Sequence, residues 1–121
     1  MTMKILTVDD SRTMRDMLRL ALSSAGFNVV QAVDGLDGLD VLERETPELV
    51  ITDINMPKMD GFGFIAGARR IERFRVTPIL VLTTESDPDK KMRAKEAGAT
   101  GWIVKPFDPV KLVDVIRRVA A

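Results

Sequence analysis

The sequence predicts a doubly wound α/β fold: five parallel strands with helices on both faces of the sheet. Three observations predict it. Short apolar runs alternate with stretches of helical periodicity five times along the chain. Four of those runs end on polar residues: Ile5–Val8 on Asp9 and Asp10, Leu49–Thr52 on Asp53, Ile79–Leu82 on Thr83, and Trp102–Val104 on Lys105. Aspartates followed by proline or glycine stand where the helices should begin.

Each element follows in order. The run 4–8 reads as the first strand. Met14, Met17, Leu18, Ala21 and Leu22 recur at i, i+3, i+4, i+7 and i+8, one face of a helix that Gly26 closes. The run 28–32 carries Asn28 and Gln31 and suits a sheet edge. Asp34-Gly35 opens a helix over 35–45 with the thin stripe Leu36, Leu39 and Leu42. The run 48–52 is nearly all apolar, as a strand buried on both faces must be. Asp60-Gly61 opens a helix with Phe64, Ile65, Ala68 and Ile71 on one side. The run 78–82 is the fourth strand. Asp87-Pro88 caps the weakest helix, 89–97, where Met92, Ala94 and Ala97 stand among Lys90, Lys91, Arg93, Lys95 and Glu96. Gly98 ends it. The run 101–104 is the last strand, and Asp108-Pro109 opens a final helix with Leu112, Val113, Ile116, Val119 and Ala120 inward. Val110 and Val115 lie off that stripe.

Composition narrows the function classes. The 121 residues suffice for one domain and are too few for two. Eighteen basic residues balance eighteen acidic ones, which is no footprint for nucleic acid. Cysteine is absent, so disulfides and thiolate metal sites are excluded. Histidine is absent too, which removes the usual general base and the commonest transition-metal ligand. Oxygen chemistry remains. No apolar run is long enough to span a membrane and no signal-peptide pattern opens the chain, so a cytoplasmic protein is expected.

Ligands of open parallel sheets bind beyond the carboxyl ends of the strands. That rule gathers Asp9, Asp10, Asp53, Thr83 and Lys105 into one pocket. Capping of a helix that begins near Ser11 needs one aspartate at most. Three adjacent carboxylates repel, and a bound cation is the natural compensation. Magnesium prefers hard oxygen ligands and is commonly held by one or two carboxylates plus a phosphate. Asp53 is then a candidate nucleophile for an acyl phosphate. Thr83 and Lys105 supply a hydroxyl and a cation for phosphoryl oxygens. Trp102 reads as a core or half-buried strand aromatic, Met14 and Met17 as core residues of the first helix, and Pro106 as a strand terminator.

In this order and spacing, Asp9-Asp10, Asp53, Thr83 and Lys105-Pro106 resemble the receiver domain of two-component response regulators. The stretches Val8-Asp9-Asp10-Ser11-Arg12, Asn55-Met56-Pro57-Lys58-Met59-Asp60-Gly61 and Thr83-Thr84-Glu85 are most similar to its chemotaxis branch. The likeness runs from Lys4 to Val119, so residues 1–121 are expected to form a single receiver domain without an output domain. It implies the flavodoxin-like strand order 2-1-3-4-5, for which chemotaxis receivers are themselves a standing example. It implies phosphorylation on Asp53, magnesium held by Asp9, Asp10, Asp53 and Asn55, and a phosphoryl contact from Lys105. It also implies a cis Lys105-Pro106 bond and a switch made of Thr83 and the aromatic Trp102. The implied partners are a CheA-like histidine kinase, a flagellar motor switch protein or other output target, and a phosphatase. The target would dock on the fourth helix, fifth strand and fifth helix of a monomer. Catalysis would be limited to the domain's own phosphorylation and dephosphorylation. Trp102 departs from the usual Tyr or Phe, and Thr84 from the usual Ala or Gly. Thr84 and Glu85 are therefore expected to modulate the phosphoryl group's lifetime.

Other classes fit less well. A phosphate sink or a diffusible receiver of another pathway shares every motif. A haloacid-dehalogenase-type phosphohydrolase would want an aspartate where Asn55 stands. A flavodoxin-like cofactor binder would want a phosphate loop rich in Ser, Thr and Gly after the first strand, where this chain has two carboxylates. A two-state switch is expected, with the thinly anchored segment 89–97 as its soft element.

Overall fold

Every predicted strand and helix forms in the computed structural model, which describes residues 2–121. The order is β1 Lys4–Val8, α1 Arg12–Ser24, β2 Asn28–Ala32, α2 Gly35–Glu45, β3 Leu49–Thr52, α3 Gly61–Arg70, a 3₁₀ turn Glu72–Phe74, β4 Ile79–Thr83, α4 Pro88–Ala97, β5 Gly101–Val104 and α5 Pro109–Ala120. The five strands are parallel and lie in the order β2-β1-β3-β4-β5. The flavodoxin-like expectation holds. Val8 pairs with Ala32 and Thr52, and Thr83 pairs with Val104. The strand tails therefore finish close together along one edge.

Alternation along the strands divides the core in two. Leu6, Val8, Val50, Ile79 and Val81 face one way and pack with Leu42, Phe64, Ile65 and Ala68 of α2 and α3. Ile5, Leu49, Ile51, Leu80 and Leu82 face the other and pack with Leu18 and Leu22 of α1 and Leu112 and Ile116 of α5. α4 contributes only Ala94 as a buried residue. Little apolar area holds it.

Three helix faces differ from the hydropathy stripes. Met17 is 48% exposed, because α1 rests on Leu18 and Leu22 with Met14 beside them. Leu36 is 50% exposed, and α2 buries Gly35, Gly38, Val41 and Leu42 instead. A Cβ at Gly38 would stand 2.9 Å from the Phe64 ring, so close packing there requires glycine, which carries no hydropathy signal. Val115 is half-buried and packs on the α1/α5 core, while Val110 stays exposed.

Caps place the helices. Asp34, Asp60, Asp87 and Asp108 accept backbone N–H groups at the starts of α2, α3, α4 and α5. Gly98, at φ +116°, closes α4. Arg69 of α3 donates to the carbonyls of Phe74 and Thr77 at 2.7 and 2.6 Å and twice to that of Gly98. It pins the carboxyl end of α4 against α3, and burial draws its pKa below the usual arginine value.

Thr46 ends α2 in the left-handed region, at φ 45° and ψ 60°, and precedes a proline. A β-branched residue there is costly, whereas glycine adopts it readily. Thr46→Gly is expected to stabilise the fold by about 1 kcal/mol. Urea denaturation checks this: a higher midpoint at unchanged slope is the expected result, and a lower midpoint would contradict it.

Candidate functional site

The site is built where β1, β3, β4 and β5 end. Asp9 follows β1 and is 2% exposed; Asp53 follows β3 and is 8% exposed. Asp10 stands beside them in solvent. One carboxylate oxygen from each of the three lies within 4.8 Å of the others. Lys105 follows β5, and its Nζ sits 2.9 Å from Asp9 Oδ2 and 2.9 Å from Asp53 Oδ2. The ammonium bridges the two buried carboxylates and leaves Asp10 outside.

Backbone bonds fix these side chains. Asp53 N–H donates to Val8 O at 2.9 Å, and Asp9 N–H donates to Ala32 O at 3.1 Å. Lys105 N–H donates to Thr83 O at 2.8 Å, which extends the β4–β5 pairing past the last strand residue. The Lys105–Pro106 bond is cis. The remaining carboxylate oxygens are also engaged: Asp9 Oδ1 accepts Ser11 N–H at 2.9 Å, and Asp53 Oδ1 accepts Ile54 N–H at 2.6 Å. Gly61 N–H donates to Ile54 O at 2.8 Å, and a Cβ at Gly61 would collide with Asp53 O. Only glycine lets α3 start so close to Asp53.

Neither Asp9 nor Asp10 caps α1. That role belongs to Ser11, whose hydroxyl accepts Met14 N–H. The capping explanation for the aspartate pair is therefore removed.

Burial raises the pKa of Asp9 above the ordinary aspartate range. The bonds from Lys105 and from the Ser11 amide offset part of that, and the charge of Asp53 adds to it. Burial alone would lower Lys105, but its hydrogen bonds to Asp53 and Asp9 outweigh it and raise the ammonium above the ordinary lysine value. The local formal charge is that of three carboxylates against one ammonium. The pocket is short of positive charge.

The other named residues surround this cluster. Thr83 is fully buried, and its Oγ1 accepts Glu85 N–H at 3.3 Å. Asn55 is exposed in the loop between β3 and α3, and Thr84 is exposed after β4. Glu85 is half-buried and pairs with Lys90 at 2.9 Å. Trp102 is half-buried against the α2/α3 core. With Met92, Lys91, Lys95 and Thr100 it lines a groove of about 510 Å³ between α4 and β5. Two participants carried no sequence signal. Arg15 reaches back from α1 to donate to Asp9 O at 2.8 Å. Lys90 lies five residues beyond Glu85, a spacing that belongs to no single helix face.

This fold and this edge of acids, hydroxyl and lysine define the receiver class. The sequence matches the response regulator receiver domain over residues 5–117, and the chain belongs to that family. It is 43% identical to the solved structure of chemotaxis protein CheY4 from Vibrio cholerae, with a TM-score of 0.94 over 98% of this chain and 99% of that one. It is 40% identical over 116 residues to the probable transcriptional regulator ycf27 of Porphyridium aerugineum, covering 96% of this chain and 47% of that protein. The chain thus spans about half of that relative's length. The receiver domain of sensor histidine kinase PA1611 from Pseudomonas aeruginosa is 25% identical, with a TM-score of 0.92 over 99% of this chain and 98% of that one. That structure has a magnesium ion coordinated in its active-site cleft.

A carboxyl whose folded pKa exceeds its unfolded value opposes folding above the ordinary aspartate range and ceases to do so below it. In metal-free buffer, Asp9→Asn is therefore expected to raise Tm at pH 7. The gain should shrink as the pH falls towards the reference value of 3.8. Thermal unfolding at both ends of that range checks it; a gain that grows on acidification would contradict the sign.

Proposed function

We propose that the chain is a chemotaxis-type response regulator whose Asp53 accepts a phosphoryl group from a CheA-like histidine kinase. The observation that supports it most is the Lys105 ammonium, 2.9 Å from Asp53 Oδ2 at the carboxyl edge of the sheet. A carboxylate oxygen of Asp53 attacks phosphorus, an O–P bond forms, and the N–P bond to the donor imidazole breaks with its electron pair left on the ring. Lys105 stands where it can follow the new phosphoryl oxygens, and the Thr83 hydroxyl supplies a donor once it turns from Glu85. Both exchange their resting partners for phosphoryl oxygens only in the phosphorylated state, which is the differential interaction a population shift requires.

The donor set fits magnesium: three carboxylate oxygens within 4.8 Å, one of them on an exposed residue, in a chain with no cysteine or histidine. Asp10 and Asp53 would hold the ion through carboxylates, Asp9 directly or through water, and Asn55 through its backbone carbonyl. When bound, it supplies the positive charge that offsets the phosphoryl oxygens.

The output surface in this reading is α4, β5 and α5. α4 has one buried anchor, and its outer face joins the groove of Met92, Trp102, Lys91 and Lys95. A flagellar motor switch protein is the proposed target, and a phosphatase is the proposed partner for resetting. Trp102 and Thr83 form the switch, with Thr84 and Glu85 tuning the acyl phosphate's lifetime. Residues 1–121 would act as one cytoplasmic receiver domain, working as a monomer. No helix among the described residues is long and apolar enough to cross a membrane. The likeness to a longer transcriptional regulator supports a second reading, a receiver serving another pathway or acting as a phosphate sink.

Asp53→Asn keeps the shape and removes the nucleophile. Incorporation of labelled phosphoryl from acetyl phosphate or a histidine kinase should fall to background. Undiminished labelling would refute the assignment. Recovery of a flagellar switch component by the phosphorylated protein alone would favour the chemotaxis reading; recovery of none would favour the second.

A further inference from the structure

The loop between β4 and α4 is held by a chain of four bonds. Thr83 Oγ1 accepts Glu85 N–H at 3.3 Å. Glu85 Oε1 accepts Asp87 N–H at 3.2 Å, and Glu85 Oε2 accepts Lys90 Nζ at 2.9 Å. Asp87 Oδ1 in turn accepts Asp89 N–H at 2.9 Å, which starts α4. Glu85 is thus the hub between the buried hydroxyl of Thr83 and the first turn of α4. Its carboxylate has three neighbours that favour the charge: the Lys90 ammonium first, then the amides of Asp87 and Ser86.

The rest of α4 offers little resistance to movement at this end. Ala94 is its one buried residue, and Arg69 grips the carboxyl end through Gly98 O. Arg93 stacks 4.1 Å from the Phe62 ring, midway along the helix. What distinguishes the amino-terminal turn is the Glu85–Lys90 ion pair.

We propose that Lys90 is a positioning residue of the phosphoryl switch: by holding Glu85, it latches Thr83 in the resting arrangement. This rests on the reading of Asp53 as phosphoacceptor. Turning the Thr83 hydroxyl towards a phosphoryl group on Asp53 withdraws the acceptor from Glu85 N–H. The Glu85 turn then loses one of its ties to β4, and the Lys90 pair no longer has a fixed carboxylate to meet. The pair therefore stabilises the resting state more than the phosphorylated one. Removing it shifts the balance towards the phosphorylated arrangement. An ion pair this exposed has a modest effect that salt screens.

The test compares wild type, Lys90→Gln and Lys90→Arg in two measurements. The first is amide exchange in the protein without magnesium or mimic. Lys90→Gln should speed exchange at Glu85 and Asp87, and Lys90→Arg should restore it. Unchanged exchange in Lys90→Gln overturns the latch whatever Asp53 does. The second is a calorimetric titration with beryllium fluoride in saturating magnesium. Half-saturation in Lys90→Gln should come at about two- to fivefold lower concentration, with Lys90→Arg close to wild type. Faster exchange with an unshifted titration overturns the positioning role and leaves the phosphoacceptor reading intact. A wild type that ignores beryllium fluoride altogether overturns both.

Discussion

One ammonium between two buried carboxylates sets the terms for this protein. Lys105 bridges Asp9 and Asp53 at 2.9 Å each, in a pocket that Asp10 makes more acidic still. Burying like charges is costly unless they are paired. The bridge also links three strands at the sheet edge, because Lys105 arrives from β5, Asp53 from β3 and Asp9 from β1. Strand order, the close start of α3 at Gly61 and the amide bonds to Ser11 and Ile54 all serve to keep those three groups in reach of one another.

The charge left over gives the pocket its chemistry. Three carboxylates against one ammonium favour a hard cation, and a cation with Lys105 favours phosphoryl oxygens. In the proposed reaction the Asp53 carboxylate, already held by Ile54 N–H, would need little reorganisation, which suits chemistry dominated by positioning and electrostatics. The consequence travels along β4. Thr83 is buried beside the cluster, yet its hydroxyl belongs to the turn that starts α4. A helix pinned at its far end by Arg69 and thinly packed elsewhere is suited to report a change at that hydroxyl.

Much of this was legible in the sequence, and for identifiable reasons. Strands buried on both faces read as apolar runs, and the polar residues that end them stand out by contrast. Aspartate before proline or glycine marked four helix starts that the structure repeats. What escaped was what hydropathy does not encode. Gly35 and Gly38 join Val41 and Leu42 on the buried face of α2 because Met59 and the Phe64 ring approach closely there, so Leu36 stays exposed. Met17 fell on the flank of a helix that needs only Leu18 and Leu22. Ser11 caps α1, and neither aspartate takes part in it. Arg15, Arg69 and Lys90 reach backbone or carboxylate partners through long side chains whose direction no spacing rule gives.

Lys105 acts as the pocket's own cation, and in the proposed function a divalent ion is its complement. Calorimetric titration of magnesium into wild type and Lys105→Met tests it most directly. With the ammonium gone, the three carboxylates should bind magnesium more tightly, and the ion should recover more of the variant's Tm than of the wild type's. Equal or weaker magnesium binding in Lys105→Met would contradict it.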